Sequence, residues 1–122
     1  MKEINLGIIG GGQLGSMLSI AAKKLNVKTT IYCDDIDAPA QNFCDNFIFG
    51  EYNDKNKILE FANKVDFITY EFENIPYETL KEMNKLKPVL PKPSVNRLIQ
   101  HRLAEKDFIN KLNIRTTRYA LI

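Results

Sequence analysis

Short apolar runs alternate along the chain with longer stretches in which apolar residues return every three or four positions. Ile4 to Ile9 is a run of the first kind, interrupted only by Gly7, and predicts a strand. After the glycines at 10–12, Leu14, Met17, Leu18, Ala21, Ala22 and Leu25 recur at helical spacing. Val27 to Cys33, rich in β-branched residues, predicts a second strand. The carboxylates and proline of Asp34 to Pro39 favour a loop, and Asn46 to Phe49 predicts a short third strand. Asn53 or Asp54 can cap a helix running to about Lys64, with Ile58, Leu59, Phe61 and Ala62 inward. Val65 to Tyr70 is strongly apolar and is expected at the sheet centre. Pro76 suits the first turn of a helix reaching Leu86. Pro88 to Leu90 predicts a weak edge strand, because proline cannot donate to a ladder. Ser94 to about Leu112 reads as helical with a break near Gln100 or His101, and Ile114 to Ile122 as one further strand.

Strands that alternate with helices imply βαβ units: an α/β fold with a Rossmann-like parallel sheet flanked by helices. In such sheets ligands bind beyond the carboxyl ends of the strands. The segments to examine are therefore Gly10 to Gly15, Asp34 to Asp37, Gly50 to Tyr52, and Glu71 to Pro76.

Composition adds exclusions. At 122 residues the chain has the size of one domain, and its formal net charge of +2 gives no electrostatic footprint for nucleic acid. No apolar run approaches the roughly 20 residues of a membrane span. Met1-Lys2-Glu3 leads into a short apolar run ending in glycines, which does not have the build of a signal peptide. A soluble cytoplasmic protein is expected. Cys33, Cys44 and His101 fall short of the four ligands of a structural zinc site. The two cysteines allow a disulfide on count alone, but reduced thiols fit a cytoplasmic chain better.

Gly10-Gly11-Gly12-Gln13-Leu14-Gly15 follows a predicted strand and opens a predicted helix. Its spacing satisfies G-x-G-x-x-G, and Asp34 stands 19 residues beyond Gly15, as in a dinucleotide fingerprint. Glycines there let the backbone approach an anion at free helix N–H groups, so the loop is expected to bind a phosphate, whose identity the motif leaves open. A tight strand-to-helix turn would also require glycine. Strand alternation puts Glu71 and Glu73 on one side and Tyr70 and Phe72 on the other. Glu71 leaves the strand at the rim where ligands sit, and suits an amine or a ribose hydroxyl.

Five stretches carry a resemblance: Gly10 to Gly15, Asp37-Ala38-Pro39-Ala40, Tyr70-Glu71-Phe72-Glu73-Asn74-Ile75-Pro76, Pro93-Ser94, and Gln100-His101-Arg102-Leu103-Ala104-Glu105-Lys106. Together and in that order they resemble the amino-terminal part of the 5-(carboxyamino)imidazole ribonucleotide synthases, ATP-grasp enzymes of purine synthesis. The resemblance implies a ligase in which ATP phosphorylates bicarbonate and the activated carboxyl group meets the amine of 5-aminoimidazole ribonucleotide. It also implies magnesium with ATP, its ligands outside this chain, no NAD, no nucleic acid or membrane partner, and a homodimer. By motif, the backbone at Gly11, Gly12, Gln13 and Leu14 would hold the ribonucleotide near its phosphate and ribose, with Glu71 accepting its hydrogen bonds and Asp34 a neighbouring hydroxyl acceptor. Arg102 would contact ATP phosphates, its guanidinium fork being suited to two oxygens at once. Lys106, one turn later, is expected to be a structural or secondary contact. No catalytic residue and no metal ligand is assigned to this chain.

Residues 1–96 would form the pre-ATP-grasp domain and 97–122 the beginning of an ATP-grasp domain. Ser16 stands where the family commonly has arginine, and Arg115 and Arg118 replace prolines common there. Leu121 and Ile122 fall inside what resembles the first strand of the next region, so a fragment without ligase activity of its own is expected. Two other readings stay open: an NAD(P)-dependent oxidoreductase domain, favoured by the glycine motif with Asp34, and a non-catalytic nucleotide-sensing module.

Overall fold

The computed structural model describes residues 2–122. Four strands, β1 (Asn5–Ile9), β2 (Lys28–Cys33), β3 (Asn46–Phe49) and β4 (Phe67–Tyr70), form one sheet in the order β3-β2-β1-β4. Every neighbouring pair is parallel, with Ile8 opposite both Ile31 and Thr69. The helices are α1 (Gln13–Lys24), α2 (Lys55–Lys64), α3 (Tyr77–Leu86), α4 (Pro93–Gln100) and α5 (Arg102–Lys111). The Rossmann-like α/β architecture expected from the alternating pattern is present.

Strand alternation sorts the apolar side chains into two cores. Ile9, Tyr32, Ile48 and Ile68 point to one face and pack with Ile58, Phe61 and Ala62 of α2 and Leu80 and Met83 of α3. Ile8, Ile31 and Cys33 point to the other, against Ala38 and Ala40. Asp54 caps α2 through its carboxylate, which accepts from Asn56 and Lys57 N–H at 3.1 Å each. A cap of this kind contributes about 1 kcal/mol.

Several expectations are corrected. β4 lies at the edge of the four strands, not the centre; only an isolated bridge from Val89 to Ile68 lies beyond it. Its run is apolar because Val65 and Ile68 plug the α2–α3 core, while Phe67 is exposed. Pro88 to Leu90 accordingly forms that bridge and no strand.

On α1 the apolar stripe faces outward: Leu14 is 54%, Met17 57% and Leu25 76% exposed. Gly15, Ser16 and Ser19 are buried instead, together with Ala22 of the stripe. The helix runs too close to the sheet for larger residues, since a Cβ on Gly15 would stand 2.6 Å from the Gly10 carbonyl oxygen. The Ser16 and Ser19 hydroxyls can be buried because they donate to Gly12 O (3.0 Å) and Gly15 O (2.9 Å). Leu59 of α2 is likewise exposed.

Residues 114–122 form no strand. Tyr119 folds back on α5, its hydroxyl donating to Asp107 and accepting from Asn110 (3.0 Å). A short 3₁₀ turn at Pro39–Asn42 follows the loop expected after β2. The helical break comes at His101, as the pattern predicts, and the 96/97 division falls inside α4.

Candidate functional site

β1 delivers the chain into Gly10, whose φ of +106° lies where only glycine is at ease. The Gly10 N–H donates to Tyr32 O (2.9 Å), and Gly11 O accepts from Ala40 N–H (2.9 Å), so the loop is pinned from β2 and from the 3₁₀ turn. A Cβ on Gly11 would come within 2.6 Å of that of Ala38. Gly12 is the N-cap of α1 and has no side-chain cap.

Glu71 supplies what the helix lacks. It is the first residue after β4, tied to the ladder by its N–H donating to Ile9 O (3.1 Å). Its carboxylate Oε1 accepts from Gly12 N–H at 3.4 Å. The carboxylate thus stands at the positive end of the α1 dipole. That is the position the glycine motif predicts for a phosphate, and an incoming phosphate there would meet a charge of its own sign. Leu14, Met17, Leu18, Ala21 and Glu71 line a groove of ≈ 410 Å³ along the outer face of α1. Gln13 and Leu14 are exposed beside it.

The remaining predicted residues are placed apart. Asp34 is exposed beyond β2 and makes no hydrogen bond to the glycine loop among the described residues. Its neighbour is Tyr52: burial first, and then the nearness of Cys33 and of the Asp34 carboxylate, pushes the Tyr52 phenol far above its usual range. Arg102 opens α5, 74% exposed, with Nη1 3.1 Å from Glu105 and Nη2 3.8 Å from Glu73. Glu71 and Glu73 therefore do not share a direction, because the strand ends at Tyr70 and a turn follows. Glu71 turns to the glycines and Glu73 to Arg102.

Lys106 lies 5.5 Å from the centre of the Tyr119 ring. Ser16 is buried against Gly12 O, which leaves that position without any reach toward an anion. His101 is exposed and caps α5 through Nδ1, which accepts from Ala104 N–H (3.3 Å). Cys33 and Cys44 are free thiols, both pushed upward by burial. Among the described residues no three His, Cys, Asp or Glu side chains gather as a metal set, and no helix is long and apolar enough to cross a membrane.

The sequence reading missed Asn96, and Gln100 appeared only within a motif. Both are amides on one face of α4, four residues apart, and both donate to the turn that carries Glu71. Their spacing is the signal that could have found them.

Residues 1–100 match the model of the ribonucleotide synthetase preATP-grasp domain. The chain belongs to that family. Among its relatives, the N5-carboxyaminoimidazole ribonucleotide synthase of Brucella melitensis is 38% identical over 117 residues, covering 96% of this chain and 32% of the relative. The crystal structure of the synthetase from Thermus thermophilus superposes with a TM-score of 0.87 at 34% identity, over 91% of this chain and 31% of that one. The synthase from Aspergillus clavatus, solved with ADP and 5-aminoimidazole ribonucleotide, gives a TM-score of 0.83 at 26% identity, over 95% and 31%. The preATP-grasp chain spans about a third of the length of these synthases, or less.

Proposed function

We propose that this preATP-grasp domain is the amino-terminal part of an ATP-dependent ligase that carboxylates 5-aminoimidazole ribonucleotide with bicarbonate, giving the carbamate, ADP and phosphate. The observation that carries this chain's share of the work is the Glu71 carboxylate held against Gly12 at the start of α1. A site already holding a negative charge favours hydrogen-bond donors over phosphate. The ribonucleotide's ribose hydroxyls and amine are such donors. Glu71 accepts from them, and the backbone of Gly11, Gly12, Gln13 and Leu14 lines the approach. The same charge opposes a dinucleotide pyrophosphate, which weighs against an NAD-binding reading in spite of the glycine spacing and Asp34.

Arg102 reaches one ATP phosphate by exchanging Glu73 and Glu105 for phosphate oxygens, a transfer suited to an always-charged fork on an exposed helix end. Asp34 accepts a hydroxyl at the margin of the site. The domain's contribution is positioning, which in bimolecular chemistry is a large share of the acceleration. In this reading the magnesium that accompanies ATP is held by the rest of the ligase. In this reading residues 1–96 are the preATP-grasp domain, residues 97–122 open the ATP-grasp domain, and the complete ligase is a cytoplasmic homodimer.

Calorimetric titration of 5-aminoimidazole ribonucleotide into the chain and into Glu71→Ala tests the assignment. Loss of a charged acceptor is expected to weaken binding by about tenfold or more. Equal binding by both would remove Glu71 from the site.

A further inference from the structure

β4 ends at Tyr70, Glu71 N–H makes a last bond to Ile9 O, and residues 72–76 then run outside the sheet to the start of α3. Within this turn the carbonyls of Glu73 and Ile75 point toward α4 and are met by its side chains. Gln100 Nε2 donates to Glu73 O at 2.7 Å and to Ile75 O at 2.6 Å. One turn earlier, Asn96 Nδ2 donates to the same Ile75 O at 3.3 Å. Asn96 is wholly buried and its Oδ1 has no hydrogen-bond partner among the described residues. Burying an amide half satisfied is costly, and an apolar side chain would fill the space without that cost. The chemistry of Asn96 is thus explained by the carbonyl it holds and not by packing.

The clamped turn carries two carboxylates, Glu71 at its start and Glu73 in its middle. Glu71 faces the glycine loop, and Glu73 faces Arg102 on the helix that begins just after Gln100. A single side chain therefore joins the α4–α5 junction to the segment that sets where the Glu71 carboxylate lies.

We propose that Gln100 is a positioning residue for Glu71: its paired hydrogen bonds to Glu73 O and Ile75 O, backed by Asn96, hold the turn so that the Glu71 carboxylate stays on the Gly12 N–H. The functional importance of this rests on the reading of Glu71 as the residue that holds the ribonucleotide. The mechanical claim does not.

The test uses the 122-residue chain without ligand, so that the two readings can fail separately. The amide resonance of Gly12 reports the Glu71 contact from a place Gln100 does not touch. In Gln100→Ala it is expected to move toward its position in Glu71→Ala, with amide exchange from Phe72 to Ile75 accelerated by about tenfold or more. Gln100→Glu keeps the length but cannot donate to a carbonyl, and is expected to behave as Gln100→Ala does. In the double variant with Glu71→Ala the Gly12 resonance should move no further than in Glu71→Ala alone. A Gly12 resonance unchanged in Gln100→Ala or in Gln100→Glu would overturn the proposal, as would additive shifts in the double variant. If these results are as expected while Glu71→Ala binds the ribonucleotide as the parent chain does, positioning stands and the ligand reading of Glu71 falls.

Discussion

Phe61→Ala is expected to destabilise the domain by about 3–5 kcal/mol, the range for emptying a fully buried aromatic site. The ring has no exposed surface. It lies 5.4 Å from the Tyr32 ring and so close over β1 that a Cβ on Gly7 would stand 2.7 Å from its tip. Tyr32 in turn meets Tyr52 at 6.0 Å, and Tyr52 meets Phe72 at 6.3 Å. This line of rings runs from the sheet to the residue after Glu71, so the void left by Phe61 opens beneath the frame of the site. Domains of this kind are stable by roughly 5–15 kcal/mol in total. Urea denaturation should show the midpoint falling by about a fifth or more, whereas Leu59→Ala on the exposed side of the same helix should move it little. Equal shifts for the two variants would mean that α2 does not pack as described.

Gly10→Ala is expected to cost about 1–3 kcal/mol from the backbone alone, because alanine must enter a φ of +106°. The new Cβ would also stand 2.6 Å from Cγ and from Oε1 of Glu71. Relief is easiest if the glutamate swings away, so the variant should lose the Gly12–Glu71 contact together with stability. Gly12→Ala is the matched control. Its φ of −78° suits alanine, and the nearest atom, Glu71 Oε1, would be 3.4 Å from the new Cβ. That change should remain within about 1 kcal/mol. Denaturation of both variants side by side distinguishes them, and a Gly10→Ala chain as stable as Gly12→Ala would contradict the conformation assigned to the loop.

Local pattern carried much of the fold. The four strands, the cap at Asp54, the break at His101 and the glycine loop at the end of β1 were all legible, because each depends on neighbours in sequence. Strand order was not. Val65 and Ile68 are as apolar as a central strand requires, but they serve a helix-facing core under an edge strand, and periodicity does not say what lies beside a strand. On α1 the apolar stripe misled for a related reason. The close approach at Gly15 admits only small residues, so Ser16 and Ser19 took the inner face with their hydroxyls bonded to backbone carbonyls one turn earlier. Glu71 was legible as a rim carboxylate, but its partner was not. Alternation assumes an extended backbone, and the strand ends at Tyr70, which separates Glu71 from Glu73. The clamp from Asn96 and Gln100 joins residues more than 20 positions apart and left no mark beyond their helical spacing.

The glutamate resting on the start of α1 changes what the glycine loop presents to its surroundings. A bare helix end advertises its positive pole over a distance, and the reach of that field depends on the surrounding electrolyte, shrinking from about 30 Å at 0.01 M salt to about 8 Å at physiological ionic strength. Here the pole is answered from within the chain at contact range. A full carboxylate charge set against a pole of about half a charge leaves this end of the helix negative at close range. The exposed guanidinium of Arg102 keeps the electrolyte dependence of an ordinary surface charge.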